Sequence, residues 1–329
     1  MIPANPNYSP LLSIIICAHN RKKYILEAIE SVLLQTLDHR KFEIIVIKNF
    51  NDPDIDHFID GETNIKSIYT DAPNLSNKQS IGIKESKGSY ICFLDDDDLF
   101  TKERLEVLEK YFRKNSDISF IHNGMIFIDQ NGHELQKSRS FDPIVCNPIS
   151  VNKRLIKNML SQMASYNPSS MAISRELALT YVDLLDSTFR EVDTFWFACA
   201  LDFGKKLMVI PNHLTKYRRH LGGLSRASDP KKILDYAKLA IENMSILEFN
   251  LKAKASQLFI KYKQNEWLLK RSIFNTVEVK DGARFAIILQ LTKSVNMIPT
   301  RDLAKLILLT VLSAFSSRLA FNLYPTLYS

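Results

Sequence analysis

Two periodicities alternate along the first part of the chain. Leu11–Ala18, Phe42–Ile47 and Tyr90–Leu94 are short apolar runs of strand length, the pattern of buried strands, and Ile65–Tyr69 reads as a further strand. Between them the repeat becomes helical. Tyr24, Ile25, Ala28, Ile29, Val32 and Leu33 form one apolar stripe, Asp54 to Ile59 gives a short helix, and Ser76–Lys87 gives a third that ends at Gly88 as its expected C-cap. Lys102–Arg113 is again amphipathic, and Ile118–Ile128 again reads as strand. Strands alternating with helices at this spacing predict an α/β fold with a doubly wound, mostly parallel sheet flanked by helices.

After Ile128 the pattern loosens. Asn131-Gly132 signals a hairpin, and Phe141–Asn152 is irregular. Met171–Ile173 is a short return to the sheet, Glu176–Leu185 reads as helix, and Asp193–Phe203 is an apolar helix carrying Trp196 and closed by Gly204. Leu207–Ile210 is a short strand ahead of the polar stretch Thr215–Gly223. From Asp229-Pro230, an N-cap followed by proline at the first helical position, the rest reads as largely helical.

The junction that organises the chain is Ser89–Leu99, where the Tyr90–Leu94 run stops at four consecutive carboxylates, Asp95 to Asp98. They emerge at the carboxyl end of a strand, which is where open α/β sheets bind ligands. Adjacent carboxylates repel one another and need water or a cation around them. A hard divalent ion, Mg²⁺ or Mn²⁺, suits Asp-x-Asp spacing and would in turn hold a diphosphate. Taken alone, the run is equally a solvated acidic start to the following helix. An EF-hand loop is disfavoured, because the sixth position from Asp95 is Phe100 and not the glycine its turn requires.

Composition adds limits. A chain of 329 residues with 46% hydrophobic and 24% charged residues is globular and forms one large or two smaller domains. Cys17, Cys92, Cys146 and Cys199 show no CxxC spacing and read as reduced. The net charge of +7 comes entirely from the last third, where 229–329 holds 15 Lys+Arg against 8 Asp+Glu. A basic segment rich in Leu, Ile and Phe fits an anionic membrane face better than nucleic acid. No secretory signal is expected, since Met1–Pro10 is polar and proline-rich. Twelve uncharged residues separate Lys305 from Arg318, too few for a membrane span of roughly 20 residues. Either an interfacial helix with Leu306, Leu309, Leu312 and Phe315 in lipid or a core-packing helix satisfies that pattern.

Five stretches in register resemble the family 2 glycosyltransferases of the GT-A fold, inverting enzymes that use nucleotide-diphosphate sugars. Ser13–Gln35, with Ala18-His19-Asn20-Arg21, is similar to the family's opening strand and helix. Glu43–Ile47 is similar to its second strand, and Gly82–Asp98 to its Gly-Ile-x-x-Ala-x-Gly-x-Tyr-Ile-x-Phe-Leu-Asp-x-Asp-Asp. Asp193 matches the aspartate of its Glu-Asp helix, and Tyr217–His220 its Tyr-Arg-x-His, so the likeness covers roughly residues 11–225. It implies a GT-A (Rossmann-like) domain over 1–228, with a nucleotide-sugar half at 11–128 and an acceptor and catalytic-base half at 129–228. A helical C-terminal region would occupy 229–329.

The resemblance also implies roles. Asp95 would face the donor ribose, Asp97 would ligate Mn²⁺ or Mg²⁺, and Asp96 and Asp98 would support them. Asp193 would be the general base. His220 would be a further metal ligand or phosphate contact, and Arg218 or Arg219 would pair with phosphate oxygens. Ala18, Asn20, Arg21, Asn49 and Lys78 complete the donor side. Glu191 competes with Asp193, and Trp196 is a substrate contact or, better, a packing residue. The chain departs from the family pattern at Lys48-Asn49, where Asp-Asp or Asp-Asn is usual, at Gln79-Ser80, where Arg-Asn is usual, and at Val192, where Glu is usual.

The expected activity is non-processive, metal-assisted, inverting transfer from a nucleotide sugar, with UDP as first choice, to a hydroxyl of a glycan or lipid-linked acceptor. The family's processive Gln-x-x-Arg-Trp signature is absent. The expected setting is cytoplasmic, peripheral to the inner membrane face through 300–329, with a homodimer as another use of the C-terminal helices. The rivals are an inactive nucleotide-sugar-binding protein and a sugar-phosphate nucleotidyltransferase, whose glycine-rich opening loop Leu11–Arg21 lacks.

Overall fold

The computed structural model describes residues 10–188, 190–220, 230–278, 305, 307–309 and 311. The chain divides into two units, 1–148 with 164–219 and 149–163 with 220–329.

The first unit is built on one mixed sheet. β1 (Leu12–Ala18), buried along its whole length, is followed by α1 (Ile25–Leu33), whose Ile25, Ala28, Ile29 and Val32 face the core. β2 (Phe42–Lys48), α2 (Pro53–Asp60), β3 (Ile65–Tyr69), α3 (Leu75–Glu85) and β4 (Tyr90–Asp95) complete the alternation seen in the sequence. β2 lies parallel to β1 and to β3, and β4 lies parallel to β1 on its other side. In this register Ala18 is level with Lys48, and Cys17 with Asp95. The segments that follow β1, β2 and β4 therefore start side by side, which is what makes a site at this edge.

β5 (Leu99–Phe100), α4 (Arg104–Lys114), β6 (Ile118–Ile128), β7 (Glu134–Lys137) and β8 (Ile144–Cys146) come next. The Asn131-Gly132 signal is realised as the β6–β7 hairpin, with Gly132 at φ 87°. α5 (Lys153–Ser161) belongs to the other unit. β9 (Met171–Ser174), α6 (Arg175–Asp186), α7 (Val192–Phe203) and β10 (Lys206–Arg218) finish the first unit. β9 runs antiparallel between β4 and β6, and β10 runs parallel to β6. The strand order is β3-β2-β1-β4-β9-β6-β10-β5, with β7 on β6 and β8 on β10. β1, β2, β3, β4, β6 and β10 share one direction, so the mostly parallel expectation holds within a mixed sheet.

Two local readings are corrected and one holds. Gly88 is not a helix cap, since α3 ends at Glu85 with Ser86 as its cap, and it is needed for close approach instead. A Cβ there would sit 2.6 Å from the Ser13 amide nitrogen and 2.7 Å from the Leu12 carbonyl carbon. Gly204 does close α7, in the left-handed conformation at φ 84°. The strand read as Leu207–Ile210 instead continues past two register shifts to Arg218, because its second half pairs with both β6 and β5.

The second unit contains α5, α8 (Pro230–Asn250) and α9 (Lys254–Glu278). α8 and α9 pack through Ala237, Ala240 and Trp267, with the Tyr236 ring 5.1 Å from the Trp267 ring. Asp229, the expected N-cap of α8, lies outside the described residues. So does most of the apolar helix expected from Pro299, including Leu306, Leu312 and Phe315. Leu309 is fully buried, whereas Ile307, Leu308 and Val311 are exposed. No helix among the described residues is long and apolar enough to cross a membrane.

Candidate functional site

The four acids form a tight turn at the carboxyl end of β4, closed by the Asp98 amide donating to the Asp95 carbonyl at 3.1 Å. Three bonds fix its place. The Asp95 amide donates to Ser169 Oγ at 3.0 Å, Arg218 Nε donates to the Asp97 carbonyl at 2.8 Å, and the Arg218 amide donates to Asp98 Oδ1 at 2.9 Å. β5 then pairs with Thr215 and Lys216, so the turn is sewn to β10 at its carboxyl end.

The carboxylates are not equivalent. The side chains of Asp96 and Asp97 keep 2% and 15% of their surface in solvent, and Asp98 is 1% exposed, so of these three Asp97 is the one able to meet a ligand. Arg21 bridges the first two, its Nη2 paired with Asp96 and its Nη1 2.6 Å from Asp97 Oδ2. Burial opposes the Arg21 charge, but Asp97 and Asp96 more than offset it and hold the guanidinium protonated. The His19 amide adds a hydrogen bond to Asp96, yet burial still lifts that carboxyl to about 6. Burial, aided by the Asp97 charge, pushes Asp98 up to about 8. Asp95 is raised well above the usual carboxylate range by burial and its three acidic neighbours.

Asp96 Oδ2 and Asp98 Oδ2 are buried without a hydrogen-bond partner. A turn with raised carboxyl pKa values and orphaned oxygens is short of positive charge, which fits a hard divalent cation. Among the described residues no three His, Cys, Asp or Glu side chains gather at ligating distance. A cation here would therefore rest on Asp97 together with ligand oxygens and water, in the manner of magnesium, rather than in an all-protein cage.

These shifts have a thermodynamic consequence. Asp96 and Asp98 bind their protons more tightly folded than at the ordinary 3.8. Between about pH 4 and pH 8 the folded state thus holds more protons than the unfolded state, and stability falls as pH rises through that window. Asp98→Asn keeps an acceptor for the Arg218 amide and is expected to remove part of this fall. In chelator, the variant should melt above the parent at pH 8 and near it at pH 4.5; an equal offset at both would contradict the assignment.

Around the turn the ends of β1 and β2 supply polar groups. Asn20, left-handed at φ 55°, donates its amide to Asn49 Oδ1 at 2.9 Å, and Asn49 Nδ2 returns a bond to Asn20 Oδ1 at 3.1 Å. The two side chains form one exposed amide pair. Ala18 is fully buried and contributes backbone alone. Lys48, where the chain departs from the family pattern, turns inward. It is 4% exposed and is held by Asp56 Oδ1 at 2.8 Å and the Phe50 carbonyl at 3.0 Å. Lys78 is also buried, lowered by that burial, and donates to His19 Nδ1 at 2.7 Å and the Ala72 carbonyl at 3.0 Å. It orients His19 from behind, and partial burial with the nearby Lys78 and Arg21 charges keeps that ring neutral.

Arg218, expected as a phosphate contact, lies in this structure as a cross-brace. Its side chain is fully buried, with Nη2 on Glu27 at 2.7 Å, Nη1 on the Gln130 carbonyl at 3.2 Å, and the guanidinium 4.3 Å over the Tyr24 ring. Arg219 lies 4.1 Å over the Phe127 ring. Trp196 is fully buried, stacks on Phe93 at 5.5 Å and donates to Gln79 Oε1 at 2.9 Å, so the packing reading holds. His220 falls in the second unit.

Asp193 stands in the first turn of α7, where the helix dipole favours its charge. Its Oδ1 accepts from the Thr194 amide at 2.8 Å and its Oδ2 from the Asn167 amide at 3.1 Å. Glu191, at the N-cap, is left-handed at φ 58° and offers its carbonyl to the Phe195 amide at 2.8 Å. The link from Asp193 to the acid turn is a segment that the sequence reading missed, Tyr166–Ser170. Ser169 Oγ holds the Asp95 amide, the Ser169 and Asn167 side chains favour the Asp98 charge, and the Tyr166 hydroxyl, raised first by burial and then by Tyr217, is raised further by the Asp193 and Asp98 charges. Asn167-Pro168 was a findable signal, because Asn tolerates the left-handed region and Asn-Pro initiates turns.

Comparison with known proteins agrees with this architecture. The model of the family described as "Glycosyl transferase family 2" matches residues 13–181. An uncharacterized glycosyltransferase of Methanocaldococcus jannaschii is 31% identical over 221 residues, covering 64% of this chain and 71% of that protein. One of Rickettsia bellii is 36% identical over 132 residues, covering 39% of this chain and 19% of that protein. The chain spans about a fifth of the length of this and two further rickettsial relatives. The crystal structure of S. aureus TarS 1–349 in complex with UDP-GlcNAc superposes with a TM-score of 0.60 at 16% identity, over 96% of this chain and 90% of that one. That likeness is one of fold, the GT-A arrangement of sheet and helices.

Proposed function

The chain belongs to glycosyl transferase family 2, and from that premise we propose that it transfers a sugar, with inversion, from a nucleotide-diphosphate donor to a hydroxyl of a glycan or lipid-linked acceptor. The observation that carries this reading is the pairing of a cation-short acid turn with Asp193 through the Tyr166–Ser170 segment. UDP is the first choice of donor nucleotide, supported by the UDP-GlcNAc held by TarS and by the exposed Asn20–Asn49 amide pair, which can meet a base edge. Asp95 is assigned to the ribose, and Asp97 to Mn²⁺ or Mg²⁺, which would neutralise charge on the departing diphosphate. Asp193 takes the proton of the attacking hydroxyl, and its position apart from the acid turn suits attack opposite the leaving group.

The test is nucleotide release from UDP-, GDP- and dTDP-sugars with Mn²⁺ and mixed lipid acceptors. Release from one donor, lost on chelation, is expected. Tight nucleotide binding without turnover in the presence of acceptor would instead favour an inactive binding protein.

Arg21 gives this reading a sharper consequence. Its guanidinium holds the Asp97 oxygen that a cation would need. Removing it leaves the acids uncompensated, so Arg21→Gln is expected to bind Mn²⁺ about 10-fold more tightly in the absence of donor. Calorimetric titration of the metal alone reads this directly; weaker binding by the variant would contradict it.

A further inference from the structure

Asn167 is one of four non-glycine residues with positive φ among the described residues, at 63°. It is followed by Pro168, whose ring fixes the next φ, and its Oδ1 caps the short turn by accepting from the Ser169 amide at 3.0 Å. Backbone in this region costs about 1 kcal/mol or more for a residue with a Cβ, although Asn bears it better than most. The strain is held from both sides. The Tyr166 carbonyl before it accepts from His122 Nε2 at 2.9 Å, and the Ser169 carbonyl after it accepts from Thr215 Oγ1 at 3.1 Å. His122 stays neutral in this role, burial pushing it down to about 4.

This conformation sends the Asn167 amide to Asp193 Oδ2 at 3.1 Å, while its side-chain Oδ1 accepts from the Ser169 amide, and Ser169 Oγ in turn accepts from the Asp95 amide at 3.0 Å. One residue thus touches the carboxylate of α7 with its main chain and reaches the acid turn, through Ser169, with its side chain. It is 3% exposed and has no surface to offer a ligand.

We propose that Asn167 is the positioning residue of the transfer reaction, its left-handed backbone aiming one N–H at Asp193 so that the proton acceptor keeps a fixed place relative to the donor-binding acids. The inference rests on Asp193 being the base. Misplacing a reacting group by about 1 Å costs on the order of 10²-fold in rate, so the effect belongs in kcat and not in donor binding.

The experiment separates backbone from side chain. Asn167→Gly adopts positive φ freely and keeps the N–H where it is, whereas Asn167→Ala favours relaxation that withdraws it. With the full chain, Asn167→Ala is expected to lower kcat about 10- to 100-fold and Asn167→Gly less than about 5-fold, both with unchanged donor KM. Equal losses in the two variants, an unchanged kcat in the alanine variant, or a raised KM at constant kcat would each overturn the inference. Should the alanine variant fail to show a cooperative melt, the glycine variant decides alone, and a kcat loss above about 10-fold overturns it. Asp193→Asn is assayed beside them. If it is inactive while Asn167→Ala is unaffected, only the positioning role fails; if it keeps the parental kcat, the base assignment fails and this inference with it.

Discussion

Asparagine in place of Asp193 is expected to lower kcat by about a thousandfold, within the range that a general base contributes, and to leave nucleotide affinity unchanged. The substitution keeps shape and keeps a carbonyl oxygen that can accept from Asn167 or Thr194, so the start of α7 stays in place. What it removes is the capacity to take a proton. If Asp193 were only a favourable first-turn acid, the change would cost about 0.3–1 kcal/mol of stability and leave kcat within a few-fold. Steady-state kinetics with the released nucleotide as readout, together with nucleotide titration, distinguish these outcomes.

Asp97→Ala is expected to lower kcat/KM by about a thousandfold or more, because a cation on a departing diphosphate supplies several kcal/mol of transition-state stabilisation. Unlike the Asp193 variant, it should also lose calorimetrically detectable Mn²⁺ binding. The two variants then fail for different reasons, one with the metal bound and one without. Parental activity in Asp97→Ala would show that the acid turn is a solvated helix start, the plainer of the two readings its sequence permits.

The parts of the fold that were legible are those whose signal is local. β1, β2 and β4 announce themselves as short apolar runs because both their faces are covered, and the acids at the end of β4 are contiguous in sequence. β5 and β8 were not legible, since two and three residues carry no period and owe their conformation to β10, more than 60 positions away. The same limit governs side chains. Nothing local tells that Arg218 turns inward to Glu27 and Tyr24, that Lys48 finds Asp56, or that Lys78 lies behind His19. A cation reads the same whether it meets a ligand or a carboxylate of its own chain. Gly88 shows the converse error, a correct expectation of glycine attached to the wrong cause, because the close approach of Leu12 and Ser13 exists only in the folded sheet. Asp193 was reached through the family resemblance, whereas its bond to Asn167 required the structure.

The most direct test of the account uses water as the acceptor, so that no glycan need be known. Hydrolysis of an α-linked nucleotide sugar by the Mn²⁺-loaded protein is followed by proton NMR from the first turnovers, before the free sugar mutarotates. Attack assisted by Asp193 from the side opposite the diphosphate predicts that the β-anomer appears first. Initial release of the α-anomer would contradict the account.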